Sequence, residues 1–179
     1  MINLFLSLVV LFLAGCLDST SPILKGITIS PEKRCTPYVR SRYSYTAAKE
    51  EGRIMKEMQG IYDPYVAKWL NSPFQSDVEH VVAAAEAHDS GLCASSKEEK
   101  ARFAQDPENL VLAGSYLNRY IKVAKDAGEW LPEKNKCWYV HTIIKIKKKY
   151  SLTMDQAEYN AIQKVLERCV TYKMKVVKK

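Results

Sequence analysis

The chain has 179 residues, 47% of them hydrophobic and 10% aromatic, with a formal charge of +7. This is too apolar for a disordered tail and suits one compact domain, or one domain plus an export segment. The chain is too short for a two-domain dinucleotide enzyme. Its seven glycines are few for a fold built on glycine-rich phosphate loops, and its basic balance favours an anionic partner, either nucleic acid or an anionic membrane surface.

Residues 1–15 carry no ionisable side chain, and the apolar run from Leu4 to Ala14 has the length of a signal h-region rather than a membrane span. Leu13-Ala14-Gly15-Cys16 resembles the lipobox of bacterial lipoproteins, which would make Cys16 a lipidated first residue. No Lys or Arg stands near the start, so plain secretion or an uncleaved anchor stays open. The expected organisation is a signal peptide with lipobox over 1–16, a linker and lead-in over 17–34, and a folded domain over 35–179. Cys35, Cys93, Cys137 and Cys169 remain. An even count in an exported chain suggests two disulfides. Three pairings are open, and Cys93–Cys137 with Cys35–Cys169 is preferred because the second would tie the domain's ends together.

Along the domain, Thr46 to about Met58 reads as a helix interrupted by Gly52, and Ile61 to Phe74 as loop or short strand. Val78 to Ala85 is strand or helix on pattern alone. Ser96-Lys97-Glu98-Glu99 has capping-box spacing, so a helix should follow to about Gln105. Leu110 to Leu112 is a short strand candidate. Ser115 is placed to cap a helix through about Asp126. Cys137 to Lys149 has helical spacing. Thr153 and Gln156 form a second capping box opening a helix over 154–170, whose face carries Ala157, Ala161, Val165 and Cys169 and is broadened by Ile162 and Leu166. The charge is uneven: residues 134–179 hold 12 basic and 3 acidic side chains, so the remainder is slightly acidic.

No nucleophile elbow, phosphate loop or His-Glu-x-x-His is present. The informative set is Asp77-Val78-Glu79-His80, then Glu108-Asn109-Leu110-Val111-Leu112, then Asn118-Arg119. Metal-binding and water-activating side chains stand beside short apolar runs. A carboxylate and the next histidine face opposite ways in a regular strand, but a strand end or bulge can turn both into one site.

This ordered set resembles the ββα-metal (HNH, or His-Me finger) nucleases, in the branch with an acidic-x-acidic-His motif. It is similar above all to small exported bacterial HNH proteins. The likeness runs from Cys35 to Cys169 and includes Glu86 to Cys93 and Lys125-Asp126-Ala127 with Glu129-Trp130-Leu131-Pro132. Ala83 replaces a proline common in relatives, and Glu79 replaces a common aspartate.

The resemblance implies that His80 is the general base that takes a proton from water, with Asn109 holding His80 or its loop. It implies that Glu79 and Asn118 bind one divalent ion, Mg²⁺ with Mn²⁺ as the alternative, and that Asp77 stands behind them. Arg119 and Lys122 are phosphate-contact candidates, as is the run Lys145, Lys147, Lys148, Lys149. His88 and His141 are expected to be structural, and Glu86 is balanced between supporting the site and facing solvent.

The expected fold is α+β: a mostly helical, disulfide-stapled domain around a ββα-metal motif at about 78–126. The expected function is a metal-dependent endonuclease acting on DNA, or RNA, outside the cytoplasm with little sequence specificity. It would be monomeric and need no organic cofactor. A non-catalytic, membrane-tethered lipoprotein that binds nucleic acid or an anionic surface is the alternative.

Overall fold

The computed structural model describes residues 21–179; the expected signal segment and Cys16 lie outside them. The protein is α+β, as expected. The elements that position the site are α1 (Ala47–Met58), a hairpin of β1 (Ile61–Asp63) and β2 (Lys68–Leu70), β3 (Ser76–His80), α2 (Ala84–Asp89), α3 (Lys97–Ala104), β4 (Leu110–Gly114), α4 (Lys136–Lys149) and α5 (Gln156–Leu166). The ambiguous stretch from Val78 to Ala85 divides: its first part completes β3, its last part opens α2, and Val81 to Ala83 join them.

β3 and β4 form a two-stranded antiparallel sheet in which His80 pairs with Leu110, Glu79 with Val111 and Asp77 with Ala113. Leu110 to Ala113 are all buried. α1 lays Ile54 against Ile61, Val78, Leu110 and Leu112. The larger core gathers Phe103, Val111, Tyr139, Val140, Ile143, Ile144 and Ile162 on the other side. α3 begins as expected, with the Ser96 side chain accepting from the Glu99 N–H at 3.1 Å.

Three local expectations are corrected. α5 is capped by Asp155, whose side chain accepts from the Glu158 N–H at 2.7 Å. Thr153 instead donates through its hydroxyl to the Ser90 carbonyl. The buried stripe of α5 is Glu158, Ile162 and Leu166; Ile162 and Leu166 belong to the expected face, Glu158 does not, Ala157 is exposed, and Cys169 lies beyond the helix. The helix expected through Asp126 is a π-helical segment, Leu117–Lys122, closed by the Val123 N–H donating to the Asn118 carbonyl and ended at Val123, whose φ is 54°.

The four cysteines are bonded, but the preferred pairing is corrected. Cys35 joins Cys93 and Cys137 joins Cys169, with Cα separations of 5.7 and 5.6 Å. α4 and α5 run back on each other through a short connection, so the start of one meets the chain leaving the other. The lead-in is packed rather than free. Leu24 is buried, Ile29 bridges to Met154, and the Lys33 N–H donates to the Asp89 carbonyl.

Candidate active site

A cleft of about 430 Å³ lies over the β3 end of the small sheet, walled by Asp77, Glu79, His80, Asn118, Arg119, Tyr45 and Arg40. Two parts of the expected set, Asp77 to His80 from β3 and Asn118-Arg119 from the π-helical segment, thus meet in one concavity, and the Asn109 part does not line it.

His80 ends β3 and is 4% exposed. Its Nε2 lies 2.9 Å from the Ala104 carbonyl. A carbonyl only accepts, so Nε2 carries the proton and Nδ1 keeps its lone pair. The ring stacks on Phe103, and Tyr45 meets it edge-on at 5.0 Å between centroids. Burial pushes the imidazole down to about 4, and the Arg40 and Lys122 cations act in the same direction. His80 is therefore neutral at pH 7.

Asn109 is fully buried, immediately before β4, and makes no hydrogen bond to the His80 ring. Its Oδ1 accepts from the Val82 N–H at 2.8 Å, and its Nδ2 donates to the Val82 carbonyl at 3.1 Å. The Val81 N–H also donates to the Asn109 carbonyl. Asn109 thus clamps the backbone that leaves His80, which makes it a positioning residue.

Asp77 accepts from Nη2 and Nε of Arg119, at 2.6 and 2.8 Å, and from Asn118 Nδ2 at 3.2 Å. The Arg119 guanidinium holds the Asp77 carboxyl below the usual carboxylate range. Glu79 is 5% exposed, and burial raises its carboxyl despite the opposing Lys122 ammonium. Lys122 Nζ lies 2.6 Å from Glu79 Oε1 and donates to the His80 carbonyl at 3.0 Å.

Lys122 is a correction. It is fully buried and binds this site from beneath, so it cannot contact phosphate. Lys147 is a second correction. It is also fully buried, and its ammonium holds Glu86 at 2.7 Å, Glu158, the Ser90 hydroxyl and the Thr153 carbonyl. Lys145 and Lys149 are exposed and pair with Glu108, Lys149 also with Asp106, while Lys148 is exposed.

Glu79 and Asn118 are the side chains that would hold a divalent ion in this cleft. Glu79 Oε1 is buried and accepts no well-aligned hydrogen bond, because the Lys122 contact is bent. The Asn118 amide engages Asp77 through its nitrogen. Anionic and amide oxygens of this kind suit a magnesium-type ion, with Lys122 a standing competitor for Glu79. Elsewhere among the described residues, carboxylate oxygens of Glu32, Glu86 and Asp126 lie within 4.8 Å of one another. That group is tied to the Lys147 ammonium through Glu86. His88 is satisfied on both nitrogens, by Tyr43 and the Thr36 carbonyl, and His141 stacks on Tyr172.

Arg40, Tyr45 and the Ala104 carbonyl also belong to the site and carry no signal in the sequence. They come from distant segments, and no spacing connects them to His80. The inward turn of Lys122 was missed because a lysine four residues after Asn118 reads as surface.

Comparison with known proteins agrees with a nuclease-type domain. Residues 27–165 match the family described as "GmrSD restriction endonucleases, C-terminal domain", and the chain belongs to that family. An uncharacterized secreted protein of Arthroderma benhamiae is similar, at 22% identity over 175 residues, covering 85% of each chain. No solved structure matches.

Proposed function

We propose that this protein is an endonuclease of the HNH type that hydrolyses phosphodiester bonds, DNA in the first place, outside the cytoplasm. The observation that carries the reading is the neutral His80 at the end of β3, with Nε2–H anchored on the Ala104 carbonyl and Nδ1 unprotonated, on a cleft wall shared with Asp77, Glu79 and Asn118.

In this reading a phosphodiester enters the cleft beside Arg119. His80 Nδ1 accepts a proton from the attacking water. Asn109 keeps His80 in place by fixing Val82. Phe103 and Tyr45 hold the ring plane and exclude water from its faces. A Mg²⁺ or Mn²⁺ ion held by Glu79 and Asn118 would supply positive charge against the scissile phosphate. Asp77 orients Asn118 and Arg119. Contacts to phosphate and sugar predominate, which favours low sequence specificity.

Two disulfides fit an oxidising compartment, and the similar protein bears the description "secreted". Export through residues 1–16, with or without a lipid on Cys16, follows from the same reading. The test is nicking of supercoiled plasmid by the full chain with Mg²⁺ or Mn²⁺ and with EDTA. The reading expects nicked circles with metal and none with EDTA; absence of nicking under every condition refutes it.

A further inference from the structure

The exposed apolar side chains are not scattered. Tyr116 is 69% exposed, Tyr120 67%, Val123 51% and Ile121 39%, all within eight residues. Phe74 is 97% exposed. The pairing of Ser76 with Gly114 puts the residues just outside it, Phe74 and Tyr116, at the same end of the β3–β4 ladder. Single exposed apolar residues are ordinary, whereas such a concentration marks a contact surface.

The two tyrosines touch each other, with ring centroids 5.3 Å apart and planes tilted by 39°. They flank Asn118 and Arg119 on one short helical segment, and those two residues line the catalytic cleft. The tyrosines are not among the side chains that wall the cleft, but they share this segment with Arg119, on which Tyr120 acts electrostatically and whose side chain is 61% exposed. Exposed aromatic faces beside a cation that can meet a phosphate are the two components of a single-strand binding platform.

We infer that Tyr116 and Tyr120 form a base-stacking subsite, and that the preferred substrate is single-stranded DNA or a duplex with an unpaired segment at the cut. The inference rests on the nuclease reading for its substrate class and adds to it a preference for an unstacked base. A base inside a duplex has both faces covered and cannot stack on the tyrosines without leaving the helix. An unpaired base can do so freely.

The test separates binding from cutting. Anisotropy of a labelled 30-mer is measured with the full chain in EDTA, for a single strand, its duplex, and a single strand with abasic sites. Wild type should bind the intact single strand most tightly. The Tyr116→Ala/Tyr120→Ala variant should bind it about 5- to 150-fold more weakly, as loss of base stacking on aromatic rings predicts, with duplex binding little changed. Tyr116→Phe/Tyr120→Phe keeps the rings and should bind as wild type does.

Equal affinity for abasic and intact strands, or no effect of the double alanine variant, overturns the inference, as does wild type binding no oligonucleotide. An effect of that variant on sedimentation with anionic vesicles, without one on oligonucleotide binding, overturns it in favour of a membrane contact. Cleavage of duplex plasmid with a null result in binding sinks the subsite alone. Base-dependent binding without any cleavage sinks the nuclease reading alone.

Discussion

Replacing Lys122 with Met removes the one ammonium that couples the π-helical segment to β3. Its Nζ meets Glu79 Oε1 at 2.6 Å and the His80 carbonyl at 3.0 Å, with Lys122 fully buried and Glu79 5% exposed. The gross attraction is roughly 6 kcal/mol at an effective dielectric of about 20, largely offset by desolvation of both ions. Removing one partner leaves the other charge buried, which costs about 3–5 kcal/mol. Glu79 has one escape, which is to take up a proton, and burial already raises its carboxyl. In the variant the folded state then holds a proton that the unfolded carboxylate releases above its ordinary range. The deficit relative to wild type is therefore smallest near pH 5 and grows as pH rises through the folded value. Urea unfolding at pH 5 and 7.5 reads this out, and adding Glu79→Gln to Lys122→Met should recover most of the loss. A deficit below about 1 kcal/mol at pH 7.5, or no recovery with Glu79→Gln, would refute the assignment of this pair as the brace beneath the site.

Other expectations follow from the same geometry. Burial lowers His80 from 6.5 to about 4, so the folded protein resists protonation that the unfolded chain accepts. The stability gap between wild type and His80→Phe should shift against wild type by ~3 kcal/mol as pH falls from 7 to 4. A constant gap in paired urea titrations would contradict that. Asn109→Ala orphans the Val82 N–H and carbonyl and should cost about 2–4 kcal/mol by thermal unfolding, with cleavage reduced beyond the loss of folded protein. Non-reducing peptide mapping should recover Cys35 with Cys93 and Cys137 with Cys169, and a Cys93–Cys137 peptide would contradict the fold. Opening Cys137–Cys169 with serines should lower stability by about 2–4 kcal/mol.

Much of the secondary structure was legible locally. α1, α3, β4 and α4 each carry a pattern or a cap that acts within a few residues, as Ser96 does on Glu99. So was the order of His80, Asn109 and Asn118, because the order of side chains is a property of the chain itself. What escaped depends on partners far away. Glu158 on the buried stripe of α5 looks like a solvent residue until Lys147 is found opposite it. Lys122 and Lys147 read as surface lysines, because a lone charge belongs in water and nothing local reveals the buried carboxylate that receives it. The π-helical turn leaves Lys122 beneath the cleft, where an ordinary helix would have suggested a phosphate contact. Disulfide pairing likewise depends on the antiparallel return of α5 onto α4.

The central claim is that His80 is the base of a phosphodiester hydrolase, and single-turnover cleavage by wild type and His80→Ala at pH 7 with Mg²⁺ addresses it most directly. Both proteins should first be shown to be folded by urea unfolding. Loss of a positioned general base should slow cleavage by about 10²- to 10⁴-fold. Equal rates for the two folded proteins would contradict the account.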